Sequence, residues 1–268
     1  MGMFLNPDDQ QLRDDRCQPF YVDKSLIISE MNNIIRQKSD KFICVSRPRR
    51  FGKTMAANMI AAYYTKGADS HDAFKGLNIS SDPFFEEYIN KYNVLKIDCG
   101  EIYSRNIIGM NTAEKIRTLV VPEFRKEYPD LFFPEWCDVA TAIQIVYEST
   151  RDQFVIILDE YDTIIREKGD DELNPYLTFL NGLFKGSSIS SAIALSYITG
   201  ILPIVRDVVQ SKLNNFTEYT MIEAYSLSPF IGFTKDEVRI LAEKNGMDMA
   251  ELERWYDGYC VDGVELYS

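Results

Sequence analysis

Apolar residues along the chain follow two spacings. Compact apolar runs at 42–46, 94–98, 154–158 and 191–198 predict strands, and 216–222 predicts a last short one. Between them the apolar positions fall at helical spacing. Leu26, Ile27, Met31, Ile34 and Ile35 mark one helix, and further helices are expected at about 54–65, 111–128, 138–150 and 173–185. The run Phe154-Val155-Ile156-Ile157-Leu158 has no polar break and is mostly β-branched. That is the pattern of a strand covered on both faces in a parallel sheet. Strands alternating with helices predict an α/β fold, a mostly parallel sheet flanked by helices.

Punctuation divides the chain. Residues 1–22 are polar and are expected to form an irregular arm; 23–225 form the core; 226–268 change character. Ser25 and Asp23 are both candidate caps for the first helix. Thr234-Lys235-Asp236-Glu237 resembles a capping box. Short helices at about 235–245 and 248–257 then predict a small C-terminal helical appendage. No internal repeat or low-complexity tract is present.

The candidate chemistry sits at two strand ends. After the strand at 42–46 comes Arg47-Pro48-Arg49-Arg50-Phe51-Gly52-Lys53-Thr54, which opens a helix rich in small residues. A strand, a tight turn and Gly-Lys-Thr at a helix start are the parts of a phosphate-binding P-loop. Arg50, Phe51, Gly52, Lys53, Thr54 and Met55 form the expected nucleotide cradle. Lys53 would reach the terminal phosphates and Thr54 would offer its hydroxyl to Mg²⁺. The pattern departs from G-x-x-x-x-G-K-[ST], because Arg47 stands at the first glycine. Arg47 must then carry a negative φ, and Pro48 fixes the next one. On this stretch alone, the less favoured alternative is a basic turn before an amphipathic helix.

The second signal is Leu158-Asp159-Glu160-Tyr161-Asp162. In P-loop ATPases a strand-end carboxylate holds Mg²⁺, here Asp159, and a neighbour polarises the attacking water, here Glu160. Thr199, at the tip of the 191–198 strand, is a candidate sensor of the γ-phosphate, and equally a turn residue. Asp98 reads better as a loop-capping carboxylate than as a metal ligand. An acidic pair this far downstream, with the 191–198 strand between it and the loop strand, suits the additional-strand, catalytic-Glu branch.

Charge and composition narrow the classes. The net charge of −12 repels nucleic acid globally, and the one dense basic patch is Arg47, Arg49, Arg50 and Lys53. The five cysteines show no C-x-x-C, so neither a disulfide framework nor a zinc site is expected. With one histidine, His71, a histidine-built metal site is excluded and a Ser-His-Asp triad is disfavoured. No apolar run is long enough for a membrane helix, and the first residues lack a signal-peptide pattern, so a cytoplasmic location is expected.

Taken together, the motifs resemble the AAA-ATPase-like family of bacterial P-loop proteins. The matching pieces run in order: Tyr21-Val22-Asp23-Lys24-Ser25, the Arg47–Thr54 loop, Leu158–Asp162, Thr199-Gly200, Leu213-Asn214-Asn215-Phe216, Gly232-Phe233-Thr234 with Glu237-Val238, and Trp255-Tyr256-Asp257-Gly258-Tyr259. The resemblance accounts for Arg47 at the glycine position. It implies Walker roles for Lys53, Thr54, Asp159 and Glu160, with ATP and Mg²⁺ as cofactors. Such proteins commonly continue into a PD-(D/E)XK nuclease-like domain, so a chain stopping at Ser268 is expected to be truncated or a short member.

Three functions are compatible with these residues: an ATPase driving or switching a partner or fused effector, a nucleotide-binding regulatory module with negligible turnover, and a P-loop kinase. The Asp159-Glu160 pair favours the first over the third. A protein partner or a further copy of the chain is an expected partner; nucleic acid is expected only through a downstream domain, and no membrane partner is expected. An arginine finger is expected for this type of ATPase, with Arg49, Arg50 and Arg206 as candidates.

Overall fold

The computed structural model describes residues 1–167, 170–204, 213–223, 225–255, 258–261 and 263–268. Its centre is a five-stranded parallel sheet in the order β2-β3-β4-β1-β5. The strands are β1 (Phe42–Ser46), β2 (Asn93–Asp98), β3 (Phe154–Asp159), β4 (Ile193–Gly200) and β5 (Thr217–Tyr219). As the sequence predicts, β4 separates the loop-bearing β1 from the acidic β3.

Alternation within each strand explains the two-sided core. Phe42 and Cys44 of β1 face one cluster, with Phe154, Ile156 and Leu158 of β3. Ile43 and Val45 face the other, with Val155 and Ile157. All of β1 and β3 is buried, so neither strand has a wet face. Each fully buried aliphatic side chain contributes roughly 1.5–3 kcal/mol of hydrophobic burial.

Helices cover both faces. In chain order these are α1 (Gln10–Arg16), α2 (Ile27–Gln37), α3 (Lys53–Tyr64), the single turns α4 (His71–Phe74) and α5 (Phe85–Tyr88), α6 (Cys99–Ser104), α7 (Thr112–Glu127), α8 (Val139–Thr150), α9 (Thr163–Glu167), α10 (Asp170–Phe184) and α11 (Ser187–Ala192). The central helix α3 is buried at Ala56, Ala57, Ala61 and Ala62. Its small side chains let it lie close on the sheet. Neither Ser25 nor Asp23 caps α2, whose first residue follows Leu26 without a side-chain cap. Asp23 instead accepts from the Ser25 and Asn78 amides, at 2.8 and 2.7 Å. The Ser25 hydroxyl accepts from the Ile79 amide at 3.0 Å. Both side chains tie the start of α2 to the 78–81 turn.

The first twenty residues are not an irregular arm. Asn6 and Phe4 pair with β2 through Asn6 N–H to Val94 O at 2.7 Å and Lys96 N–H to Phe4 O at 2.8 Å. The Glu123 carboxylate accepts from the Met3, Phe4 and Leu5 amides at 2.8–2.9 Å. Phe4, Leu5 and Leu12 are buried. The segment thus covers the exposed edge of β2, an edge that would otherwise offer unpaired backbone groups.

The C-terminal part is not purely helical. The two expected helices are present at Lys235–Asn245 and Met249–Trp255, the first with the Thr234–Glu237 capping box formed. Beside them β6 (Phe233–Thr234), β7 (Tyr259–Val261) and β8 (Val264–Tyr267) form an antiparallel sheet with β8 in the middle. Among the described residues no helix is long and apolar enough to cross a membrane.

Candidate functional site

The site forms where β1, β3 and β4 end. Beyond Ser46 the chain turns sharply through Arg47–Gly52 and enters α3 at Lys53. Arg50 and Gly52 both take positive φ, 69° and 76°. Glycine tolerates that region without strain; an arginine there is unusual. Arg47 adopts no such φ, as expected, and is wholly buried. Its guanidinium donates to the Ser46 and Tyr219 carbonyls at 2.9 and 3.0 Å, and its amide donates to Gly200 O at 3.1 Å. The residue replacing the first glycine therefore bolts the loop to β4 and β5.

Lys53 is buried in the hollow of the loop. Its ammonium donates to Arg47 O at 3.0 Å and Pro48 O at 2.8 Å. Burial lowers its pKa, opposed by the carboxylates of Asp159, Asp162 and Glu160 and helped by Arg166. Thr54 is exposed at the first turn of α3, where helix N–H groups have no intrahelical partner. Its hydroxyl donates to Asp159 Oδ2 at 2.6 Å, joining residues 105 apart in the chain.

Asp159 is buried at the end of β3 and accepts from three groups. Besides Thr54 these are the Thr199 hydroxyl and the Glu160 amide, the latter at 3.0 Å. Thr199 is thus turned onto Asp159. Glu160 has φ 51° and its residue is exposed; its carboxylate accepts from the Thr163 hydroxyl at 3.3 Å. Asp98 lies beside Asp159 in register and caps α6, accepting from Glu101 N–H at 2.8 Å. Burial raises the Asp98 carboxyl above its usual range; that amide pulls it back, and Asp159 and Glu160 push it further up.

The Phe51 side chain packs away into the core: its ring is buried against Tyr259, 5.7 Å between centroids, and against Gly232, where an added Cβ would stand 2.8 Å from it. Gly232 has φ +107° and leaves that room free. Met55 lines an apolar cavity of about 290 Å³ beside the loop, with Tyr21, Met59, Phe230, Arg50 and Gly52. Among the arginine-finger candidates, Arg49 and Arg50 are exposed on the loop, and Arg206 lies outside the described residues.

Sequence reasoning assigned no role to Asp162, Thr163 or Arg166. Asp162 is buried, accepts from the Ile201 and Leu202 amides at 3.1 and 2.9 Å, and pairs with Arg166 at 3.0 Å. The available signal was the third acid of Asp159-Glu160-Tyr161-Asp162, followed four residues later by an arginine.

A wholly parallel sheet flanked by helices, with a Gly-Lys-Thr helix start bonded to an acidic strand end, is consistent with a P-loop-like α/β protein. The sequence profile of the AAA-ATPase-like family, described as "Predicted AAA-ATPase", matches residues 8–210, and the chain belongs to that family. It is also 24% identical over 256 residues to an "Uncharacterized protein in vnfD 5'region" of Azotobacter chroococcum mcd 1. That match takes in 93% of this chain and 46% of the relative, so the chain spans about half the relative's length.

Do the residues fit a nucleotide-bound Mg²⁺? Among the described residues no group of three or more His, Cys, Asp or Glu is placed to hold a metal alone. Mg²⁺ in nucleotide sites takes few protein ligands and completes its shell with phosphates and water. One hydroxyl, Thr54, backed by one buried carboxylate, Asp159, suits that requirement.

Proposed function

We propose that the chain binds ATP with Mg²⁺ and hydrolyses it, switching or driving a partner or a fused effector. The observation that carries this reading is the Thr54–Asp159 hydrogen bond beside Lys53. It brings the phosphate-side and acid-side motifs onto one spot at the N-terminus of α3, where backbone N–H groups favour anions.

In this reading Arg50–Thr54 supply backbone donors to the phosphates, and the Lys53 ammonium exchanges the Arg47 and Pro48 carbonyls for phosphate oxygens. The base enters the apolar cavity against Met55, Met59 and Phe230. Mg²⁺, when bound, would neutralise charge on the phosphates, with Thr54 and Asp159 as its protein groups. Glu160 orients a water and accepts its proton, and Thr199 reads the terminal phosphate from β4. The fold is then of the additional-strand type, with 23–225 as the nucleotide core and 226–268 lying against the loop through Phe51.

The test is Glu160→Gln, which keeps shape and removes the base. We expect MgATP affinity within about threefold of the parent and turnover lower by about 10²–10⁴-fold. Equal turnover in parent and variant would remove Glu160 from the reaction. Phosphate appearing on an added acceptor, rather than free in solution, would favour a kinase. Binding without turnover in the parent would favour the regulatory module.

A further inference from the structure

The Glu160 carboxylate lies in a cradle made by two elements other than its own strand. The first is Gly100 in the first turn of α6, where an added Cβ would collide with Glu160 Oε2. Gly100 does not adopt a positive φ, so its backbone does not call for glycine. The nearest atoms a side chain there would meet belong to the Glu160 carboxylate, which would have to move aside. The second is Thr163 at the start of α9, whose hydroxyl donates to the same Oε2 at 3.3 Å.

The direction of that bond is set by Arg166. Its Nη2 donates to Thr163 Oγ1 at 2.9 Å. A guanidinium can only donate, so the hydroxyl must accept there, and its proton is left for Glu160. Arg166 is fixed in turn by Asp162 at 3.0 Å, and Asp162 by the Ile201 and Leu202 amides just after Thr199. The Tyr161 amide donates to Thr199 O at 3.0 Å, closing the link between the β3 and β4 ends. Glu160 itself sits at φ 51°, a conformation its neighbours must enforce.

We propose that Thr163, oriented by Arg166, and Gly100 are positioning residues that hold the Glu160 carboxylate for its reaction with water. This rests on the ATPase reading above. Neither residue is among the groups assigned above to the phosphates or to Mg²⁺. Their loss displaces the base and spares nucleotide binding.

The experiment compares the parent with Thr163→Val, Thr163→Ser and Gly100→Ala, alone and with Glu160→Gln, measuring MgATP affinity by calorimetry and single-turnover hydrolysis. Thr163→Val should bind MgATP within about threefold of the parent and lose on the order of 10–10²-fold in rate, as a displaced catalytic group does. Thr163→Ser, which keeps the donor, should recover most of it. Gly100→Ala crowds the same carboxylate oxygen by a different element and should show the same split, so a folding defect in one variant leaves the other decisive. Combined with Glu160→Gln, neither should slow the reaction further. Parental turnover in both folded variants, or losses that add to that of Glu160→Gln, would overturn the proposal. If the parent binds MgATP but never turns it over, the ATPase reading fails on its own. The nucleotide-free crystal structure of Thr163→Val then decides the positioning. A Glu160 carboxylate that has left its place over Gly100 supports it, and an unmoved one overturns it.

Discussion

Thr54 Oγ1 donates to Asp159 Oδ2 at 2.6 Å, and this one bond joins the loop that follows β1 to the acid that ends β3. It exists because β4 sits between those strands and all three end at the same level of the sheet. Asp159 is buried and also receives Thr199 and the Glu160 amide. A neutral amide in its place cannot accept from all three with both of its polar groups. Asp159→Asn should therefore lose Mg²⁺-dependent ATP affinity by at least about tenfold, roughly 1.4 kcal/mol. Titration of ATP with and without Mg²⁺ checks it: an unchanged Mg²⁺ dependence would mean Asp159 serves only the sheet end.

Lys53 gives the sharper binding prediction. Its ammonium is buried and held by two loop carbonyls, Arg47 O and Pro48 O. These neutral acceptors compensate a buried charge less well than phosphate oxygens do. Lys53→Ala should leave the far-ultraviolet dichroism and the unfolding transition cooperative while weakening ATP binding by more than about tenfold. Unchanged affinity in a folded variant would remove the loop as the phosphate site.

Much of this centre was legible in the sequence for a physical reason. Residues buried on both faces of a parallel sheet must be apolar without interruption, which marks 42–45 and 154–158, and strand ends there must carry the chemistry. What escaped was tertiary. Phe4 and Leu5 are too short an apolar run to announce that they close the β2 edge. The pairing of Tyr259–Val261 with Val264–Tyr267 was masked by its brevity, although Asp262-Gly263 between them is a hairpin signal. Phe51 read as part of the cradle because the motif fixes its backbone; its ring answers to Gly232 and Tyr259, some 180 residues or more away in sequence. The Asp162–Arg166–Thr163–Glu160 chain depends on side-chain directions at the start of α9, which spacing alone does not supply.

The single histidine gives a clean pH readout. His71 Nδ1 is 2.6 Å from Asp69 and Nε2 is 3.2 Å from Glu86. The hydrogen bond to Asp69, then that to Glu86, raises its pKa above 6.5, with slight burial opposing. A raised folded pKa means the stabilising contribution is full below about 6.5 and is lost as pH rises through the folded value. The side chain is about half exposed (49%), so after solvent screening the contribution is at most about 1 kcal/mol. His71→Gln should lower stability slightly at pH 5.5 and not at pH 8.5. The imidazole resonances, the only set in the chain, should titrate above 6.5. A midpoint at or below 6.5 would dismiss both carboxylate contacts in solution.

Arg47 and Lys53 stand at the two ends of the same short loop, yet their losses should read out differently. Lys53 lies in the hollow of the loop and bonds the Arg47 and Pro48 carbonyls, which in the proposed reading phosphate oxygens replace. Arg47 is wholly buried on the sheet side, donating to Ser46 O and Tyr219 O and, through its amide, to Gly200 O. Among its partners, Tyr219 belongs to the edge strand β5, which is only three residues long and has few ladder bonds of its own. The guanidinium therefore acts as an added rung between β1 and β5. Charge-assisted hydrogen bonds of this kind contribute about 1.5–3 kcal/mol, and truncation leaves buried carbonyls without that donor. Arg47→Ala should lower unfolding stability by about 2–3 kcal/mol, while reducing nucleotide affinity less than Lys53→Ala does. Urea denaturation followed by calorimetry on both variants makes the comparison. If Arg47→Ala proves stable but loses more affinity than Lys53→Ala, the arginine at the glycine position is itself a phosphate ligand and the loop must rearrange on binding to expose it.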